Sequence, residues 1–199
     1  MRGLRRRLLL MGAVLYSGLC LAQTPAKPLP GDSVYQVQAL MTDHEGRQFK
    51  LAERRGKPML ISMFYNSCQF VCPMLIDTIR STQQSLTAEE QTGLAIMLVT
   101  FDPVRDNVKV LKSITGIHAL DPAQWTLALT DPGNVRKLAA ALDIQYRLLA
   151  NGEYNHTTVL VLLDAEGRVI GRSKKLGAVD PAFLALVRQA VRVGKPNAS

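Results

Sequence analysis

The chain predicts an α/β fold in which one mixed sheet is flanked by helices. Two nearly unbroken apolar runs, Met59 to Tyr65 and Leu94 to Phe101, read as strands buried on both faces. Amphipathic segments opened by proline or by a capping sequence alternate with them. A late pair of strands joined by Glu166-Gly167 then precedes a final helix. That order, alternating strand and helix followed by a hairpin and a helix, argues a single domain.

Taken in order, Tyr35 to Leu40 alternates, Asp43-His44-Glu45-Gly46 supplies turn chemistry, and Gln48 to Leu51 follows, which predicts an N-terminal β-hairpin. Pro73 opens a helix with Leu75, Ile76 and Ile79 on its buried stripe, and the proline biases Cys72 towards the N-cap. Thr87-Ala88-Glu89-Glu90 has the form of a capping box. After Asp102-Pro103 a helix is expected from about Asp106 to Thr115, stopped by Gly116. Thr126 to Leu129 is a short strand, and Asp131-Pro132 caps a helix reaching Leu142. Tyr146 to Leu149, Thr157 to Leu163 and Arg168 to Arg172 read as strands, with Asn151-Gly152 turning between the first two. Asp180-Pro181 caps the last helix, whose inward side is Phe183, Leu184, Val187 and Val191.

The first 22 residues read as an export leader: Arg2, Arg5, Arg6 and Arg7 precede an apolar stretch from Leu8 to Leu21, and small residues flank Leu21. Cleavage after Ala22 makes the protein periplasmic, whereas a retained leader would tether it to the inner membrane. Residues 23–32, with Pro25, Pro28 and Pro30, form a proline-rich linker. The domain then spans 33–194, with a flexible tail at 195–199. Without the leader's four arginines the formal charge falls from +8 to +4, and basic residues are interspersed with acids. That distribution excludes a nucleic-acid footprint.

Cleavage also removes Cys20 and leaves Cys68 and Cys72, four residues apart between a buried strand and a helix start. A structural disulfide closing so short a loop would add only about 2 kcal/mol, which a domain of this size does not need. The pair reads as functional. It lies beyond the carboxyl end of a strand, where ligands gather in open α/β sheets. Helix N-terminal N–H groups there favour thiolate, the form that attacks disulfides and binds metals. This placement leaves two chemistries open: a Cys68/Cys72 dithiol–disulfide couple and a metal site.

His156 stands before the run Thr157 to Leu163. Two thiolates suit copper(I), and an added imidazole accommodates copper(II), whereas zinc would want a fourth ligand. By itself a histidine at a strand mouth is a surface or hydrogen-bonded residue. His44 and His118 are expected to face solvent. Met59, Met63 and Met97 are core filler, and Met74 alone lies beside the site. Asp102, Arg105 and Asp106 are expected to organise a loop, and Tyr65 and Trp125 to pack, with lining of the site as the alternative for Tyr65. Lys174 and Lys175 are expected to form a solvated turn, with contact to an acidic partner as their alternative.

The run Phe64-Tyr65-Asn66-Ser67-Cys68 to Cys72-Pro73, the run Asp102-Pro103-Val104-Arg105-Asp106, and His156-Thr157 before a strand resemble the Sco (SenC/PrrC) family over roughly residues 33–190. The resemblance implies a thioredoxin-like fold and one copper ion, Cu(I) or Cu(II), held by Cys68, Cys72 and His156. It implies a metallochaperone that delivers copper to the binuclear centre of cytochrome c oxidase. Its partners would be that copper-site subunit, or other copper donors and acceptors, together with thiol–disulfide reductants. The alternative is a thiol–disulfide oxidoreductase with Cys68 and Cys72 as its catalytic pair. Against it, the neighbourhood Tyr154-Asn155-His156-Thr157 lacks the proline such reductases carry. The chain departs from the family pattern at Gln69, where proline is frequent, and at Asn155, where an acidic residue commonly precedes the histidine.

Overall fold

A computed structural model describes residues 27–68 and 71–194. The leader expected at 1–22, Gln69 and the C-terminal tail lie outside the described residues.

The strands are β1 (Leu40–Asp43), β2 (Gln48–Lys50), β3 (Met59–Phe64), β4 (Ala95–Thr100), β5 (Trp125–Leu129), β6 (Tyr146–Leu148), β7 (Tyr154–His156), β8 (Leu160–Leu163) and β9 (Val169–Ser173). The α-helices are α1 (Val71–Gln84), α2 (Ala88–Thr92), α3 (Val108–Ile117), α4 (Pro132–Leu142) and α5 (Pro181–Val193). Seven strands form one sheet in the order β2-β1-β5-β4-β3-β8-β9, and β6 with β7 makes a separate two-stranded sheet. β3, β4 and β5 run parallel, while β8 and β1 join this parallel centre antiparallel. The fold is thioredoxin-like.

The two continuous apolar runs occupy the middle of the sheet. Every residue of β3 is buried, as is all of β4 after Ala95, because neighbouring strands and covering helices leave neither face to water. Asp131 and Asp180 cap α4 and α5 through their carboxylates, each with proline just inside the helix. The Thr87 capping box is complete, its hydroxyl accepting from the Glu90 N–H and the Glu90 carboxylate accepting from the Thr87 N–H.

Three local expectations are corrected. Val34 to Gln36 is a turn of 3₁₀ helix, and the hairpin strand begins only at Leu40. Ser33 accepts a hydrogen bond from the Tyr35 N–H, and this local cap outcompetes the alternating pattern. Tyr35 is fully buried against Gly167, where a Cβ would come within 2.5 Å of its ring and φ is +82°. Only glycine closes that turn. The third helix starts after Asn107, whose side chain accepts from the Val110 N–H, and it continues through Gly116 to Ile117. Finally, His44 is buried: its N–H donates to the Leu127 carbonyl and its Nδ1 accepts from the Leu127 N–H, so the turn extends the β1–β5 ladder.

Candidate metal centre

The site is assembled from two parts that reach it by different routes. Cys68 sits in the turn leaving β3, its N–H donating to the Tyr65 carbonyl at 3.4 Å, and retains 9% exposure. Cys72 lies inside the first turn of α1 rather than at its N-cap, and is 5% exposed. Proline at the third helical position is tolerated because first-turn N–H groups have no intrahelical acceptor, and this outweighs the pre-proline bias. The expected thiolate preference of Cys72 is also overridden. Burial pushes its thiol well above the ordinary value, and only then do the Tyr65 main chain, which lowers it, and Cys68, which raises it, contribute. Desolvation of an anion outweighs the helix terminus here.

Asp106 holds the cysteine turn in place. Its Oδ2 accepts from the Asn66 N–H at 3.0 Å and from the Thr100 hydroxyl at 2.5 Å, and the residue is 1% exposed. β3 and β4 are register partners through Phe64 and Thr100, so one carboxylate can bridge both strand ends. Burial nevertheless raises the Asp106 carboxyl. Arg105 pairs with Asp102, and its guanidinium lies 5.5 Å from the Tyr154 ring centroid. Residues 102–106 therefore brace the cysteine turn on one side and the histidine strand on the other.

His156 is the last residue of β7, a strand that sequence reasoning merged into the turn before β8. Alternation along β7 turns Tyr154 and His156 to one face and leaves Asn155 exposed. Among the described residues, no hydrogen bond joins the Asn155 side chain to Cys68, Cys72 or His156. The inward face meets an aromatic cluster: His156 lies 5.0 Å from the Phe101 ring centroid and 5.7 Å from Tyr65, the latter at 89°. Phe101 also stacks on Tyr146, opposite His156 in the β6–β7 pairing. Burial lowers the His156 pKa, so its imidazole stays neutral. The tautomer that donates from Nδ1 to the Thr157 carbonyl leaves Nε2 with a free lone pair.

Cys68, Cys72 and His156 each present one ligand atom, and these three atoms lie within 4.8 Å of one another. Two donors bonded to one first-row ion can be at most about 4.6 Å apart, so a single cation needs only slight contraction of this set. No other His, Cys, Asp or Glu cluster of three or more with such spacing occurs among the described residues. Both thiols are free. They open on a crevice of about 50 Å³ that His118, half-buried rather than solvent-facing, also lines. That volume suits an ion or a few waters and falls well short of the roughly 300 Å³ of an organic ligand pocket. Met74 is 44% exposed beside the site, outside the donor set.

A thioredoxin-like sheet carrying two thiols and an imidazole around one point defines the class of protein: a candidate soft-metal-binding member of that fold. The family model described as SCO1/SenC matches residues 32–190, and the chain belongs to that family. The copper-bound structure of ScoI from Bradyrhizobium japonicum is 22% identical, with a TM-score of 0.65 over 76% of this chain and 96% of that one. BsSco, described as a member of the Sco family of cytochrome c oxidase assembly proteins with a disulfide switch, is 18% identical with a TM-score of 0.66, covering 79% of this chain and 94% of that one. A candidate copper-binding protein from Stutzerimonas stutzeri is 22% identical over 138 residues, 67% of this chain and 66% of that protein. The chain thus spans about two thirds of that curated relative.

Proposed function

We propose that the protein is an exported copper metallochaperone that holds one copper ion on Cys68, Cys72 and His156. On this reading it hands the ion to the binuclear copper centre of cytochrome c oxidase. The observation that carries the reading is the convergence of three soft donors within 4.8 Å, from segments 84 residues apart. The copper-bound and oxidase-assembly relatives support the metal and the client respectively. Two thiolates satisfy copper(I), and the imidazole makes the set acceptable to copper(II). Loading displaces the thiol protons, so metal uptake releases protons and weakens in acid. Transfer is by ligand exchange, a client donor replacing one ligand at a time.

The closeness of the two thiols favours a second use. Moving together to the roughly 2.05 Å of a disulfide, they would give two electrons and two protons to a client disulfide, leaving a Cys68–Cys72 bridge. That bridge would also block copper loading.

The test is a competition titration of the reduced protein with copper(I) and copper(II), wild type beside His156→Ala, followed by mixing the loaded protein with the metal-free copper domain of an oxidase subunit. The chaperone reading expects one ion per chain and its transfer. Equal copper binding in the variant, with brisk disulfide exchange in both proteins, would favour the oxidoreductase instead.

A further inference from the structure

Tyr65 makes a contact that packing does not require. The residue is 4% exposed, yet its hydroxyl donates to Glu153 Oε2 at 2.7 Å. Phenylalanine would fill the same space in the cluster. Burial first, and then this hydrogen bond, push the phenol up, so it is a neutral donor. For Glu153 it is the one side-chain carboxylate contact among the described residues. Glu153 directly precedes β7, where its carbonyl accepts from the Leu149 N–H to close the β6–β7 hairpin.

The geometry points to Tyr65 as a positioning residue for His156, acting through its hydrogen bond to Glu153 and the right-angle contact of its ring with the imidazole. This role rests on the metal reading above. Three parts of one residue serve the two halves of the site. The Tyr65 carbonyl accepts from the Cys68 N–H, its hydroxyl grips the hairpin, and its ring abuts His156. Aromatic packing from Phe101 and Tyr154 holds the hairpin close but tolerates sliding, since apolar attraction has little directionality. A charge-assisted hydrogen bond has a preferred distance and angle, so it fixes where the hairpin stops. Two thiolates hold copper(I) with or without the imidazole, whereas copper(II) depends on the nitrogen donor. Tyr65 and Glu153 therefore set the preference between the two oxidation states.

The experiment compares the reduced wild-type protein with Tyr65→Phe, Glu153→Ala, their double variant and Glu153→Gln. In the metal-free state, amide exchange across Glu153 to Thr157 is expected to quicken about tenfold in each single variant and no further in the double. In the copper(II) state, the paramagnetic resonance spectrum shifts and metal dissociation quickens about tenfold in the same variants, while copper(I) affinity stays within about threefold. Glu153→Gln, which still accepts from the phenol, restores most of both. Additive effects in the double variant, or a Tyr65→Phe protein matching wild type in exchange, spectrum and release, would overturn the positioning role alone. Wild-type protein that takes up copper(I) but no copper(II) would overturn this role and leave the metal reading standing, whereas uptake of neither would overturn both. Should Tyr65→Phe fail to fold, Glu153→Ala on its half-exposed side chain carries the same comparison.

Discussion

The two halves of the site rest on different kinds of structure. The cysteine half leaves a six-residue strand that is buried along its whole length and paired on both sides, with β4 and β8. The histidine half is a hairpin of two three-residue strands, partly exposed, outside the main sheet and paired only with itself. A two-stranded ribbon is marginal alone, so its position depends on what it leans against. Here that support is the ring of Tyr65, Phe101, Tyr146 and Tyr154, the Arg105 guanidinium and the Glu153 carboxylate. The difference teaches that the thiols are placed by the fold, whereas the imidazole is placed by a local interlock. Perturbing the Tyr65–Glu153 part of the interlock should change metal chemistry without unfolding the domain.

The largest effect expected is on the cysteine half. Cys72→Ser should weaken copper in both oxidation states by more than about 100-fold, because loss of a ligand exceeds the loss of any supporting residue. Competition with a chromophoric chelator reads this. His156→Ala should separate the halves, with copper(II) weakened about 100-fold and copper(I) only a few-fold.

Removing the interlock's centre comes next. Phe101→Ala should cost about 3–5 kcal/mol in denaturant unfolding, as for other large aromatic truncations in a core. A cost near zero would show the ring cluster to be incidental.

Asp106 sharpens the comparison from the cysteine side. Burial raises its folded pKa above 3.8, so its contribution to stability is full below that value and is lost as pH rises through the folded value. Asp106→Asn, which keeps an acceptor for Asn66 and Thr100, should match or exceed wild-type stability at neutral pH, with the gap closing towards pH 4. Urea unfolding across that pH range checks the sign. The smallest effect belongs to Asn155→Asp: the exposed side chain faces away from the cluster, and stability should change by less than about 0.5 kcal/mol.

Legibility in the sequence follows the same division. β3 and β4 are visible because unbroken apolar runs have little alternative to a doubly covered strand, and α4 and α5 because Asp-Pro combines a cap with a preset φ. The bracing role of Asp102, Arg105 and Asp106 was also readable, since an Asp-Pro turn followed by an Arg–Asp pair organises a loop. β7 was not, because Tyr154-Asn155-His156 is too short and polar to show a period. Its partner contacts, such as Tyr65 with Glu153, join residues 88 positions apart. The burial of His44 escaped for a related reason: a histidine in polar turn chemistry gives no sign that the turn will dock on Leu127. Burial of Cys72 within α1 reversed the expected thiolate preference, since desolvation depends on what covers a residue and not on its neighbours in sequence.

The most direct test of the whole account is X-ray absorption at the copper edge of the reduced, copper(II)-loaded protein, wild type beside His156→Ala. Two sulfur donors with one imidazole nitrogen in wild type, and loss of the imidazole scattering in the variant, is the result expected if a single ion joins the two halves. An imidazole contribution unchanged in His156→Ala, or a wild-type site of sulfur alone, would contradict it.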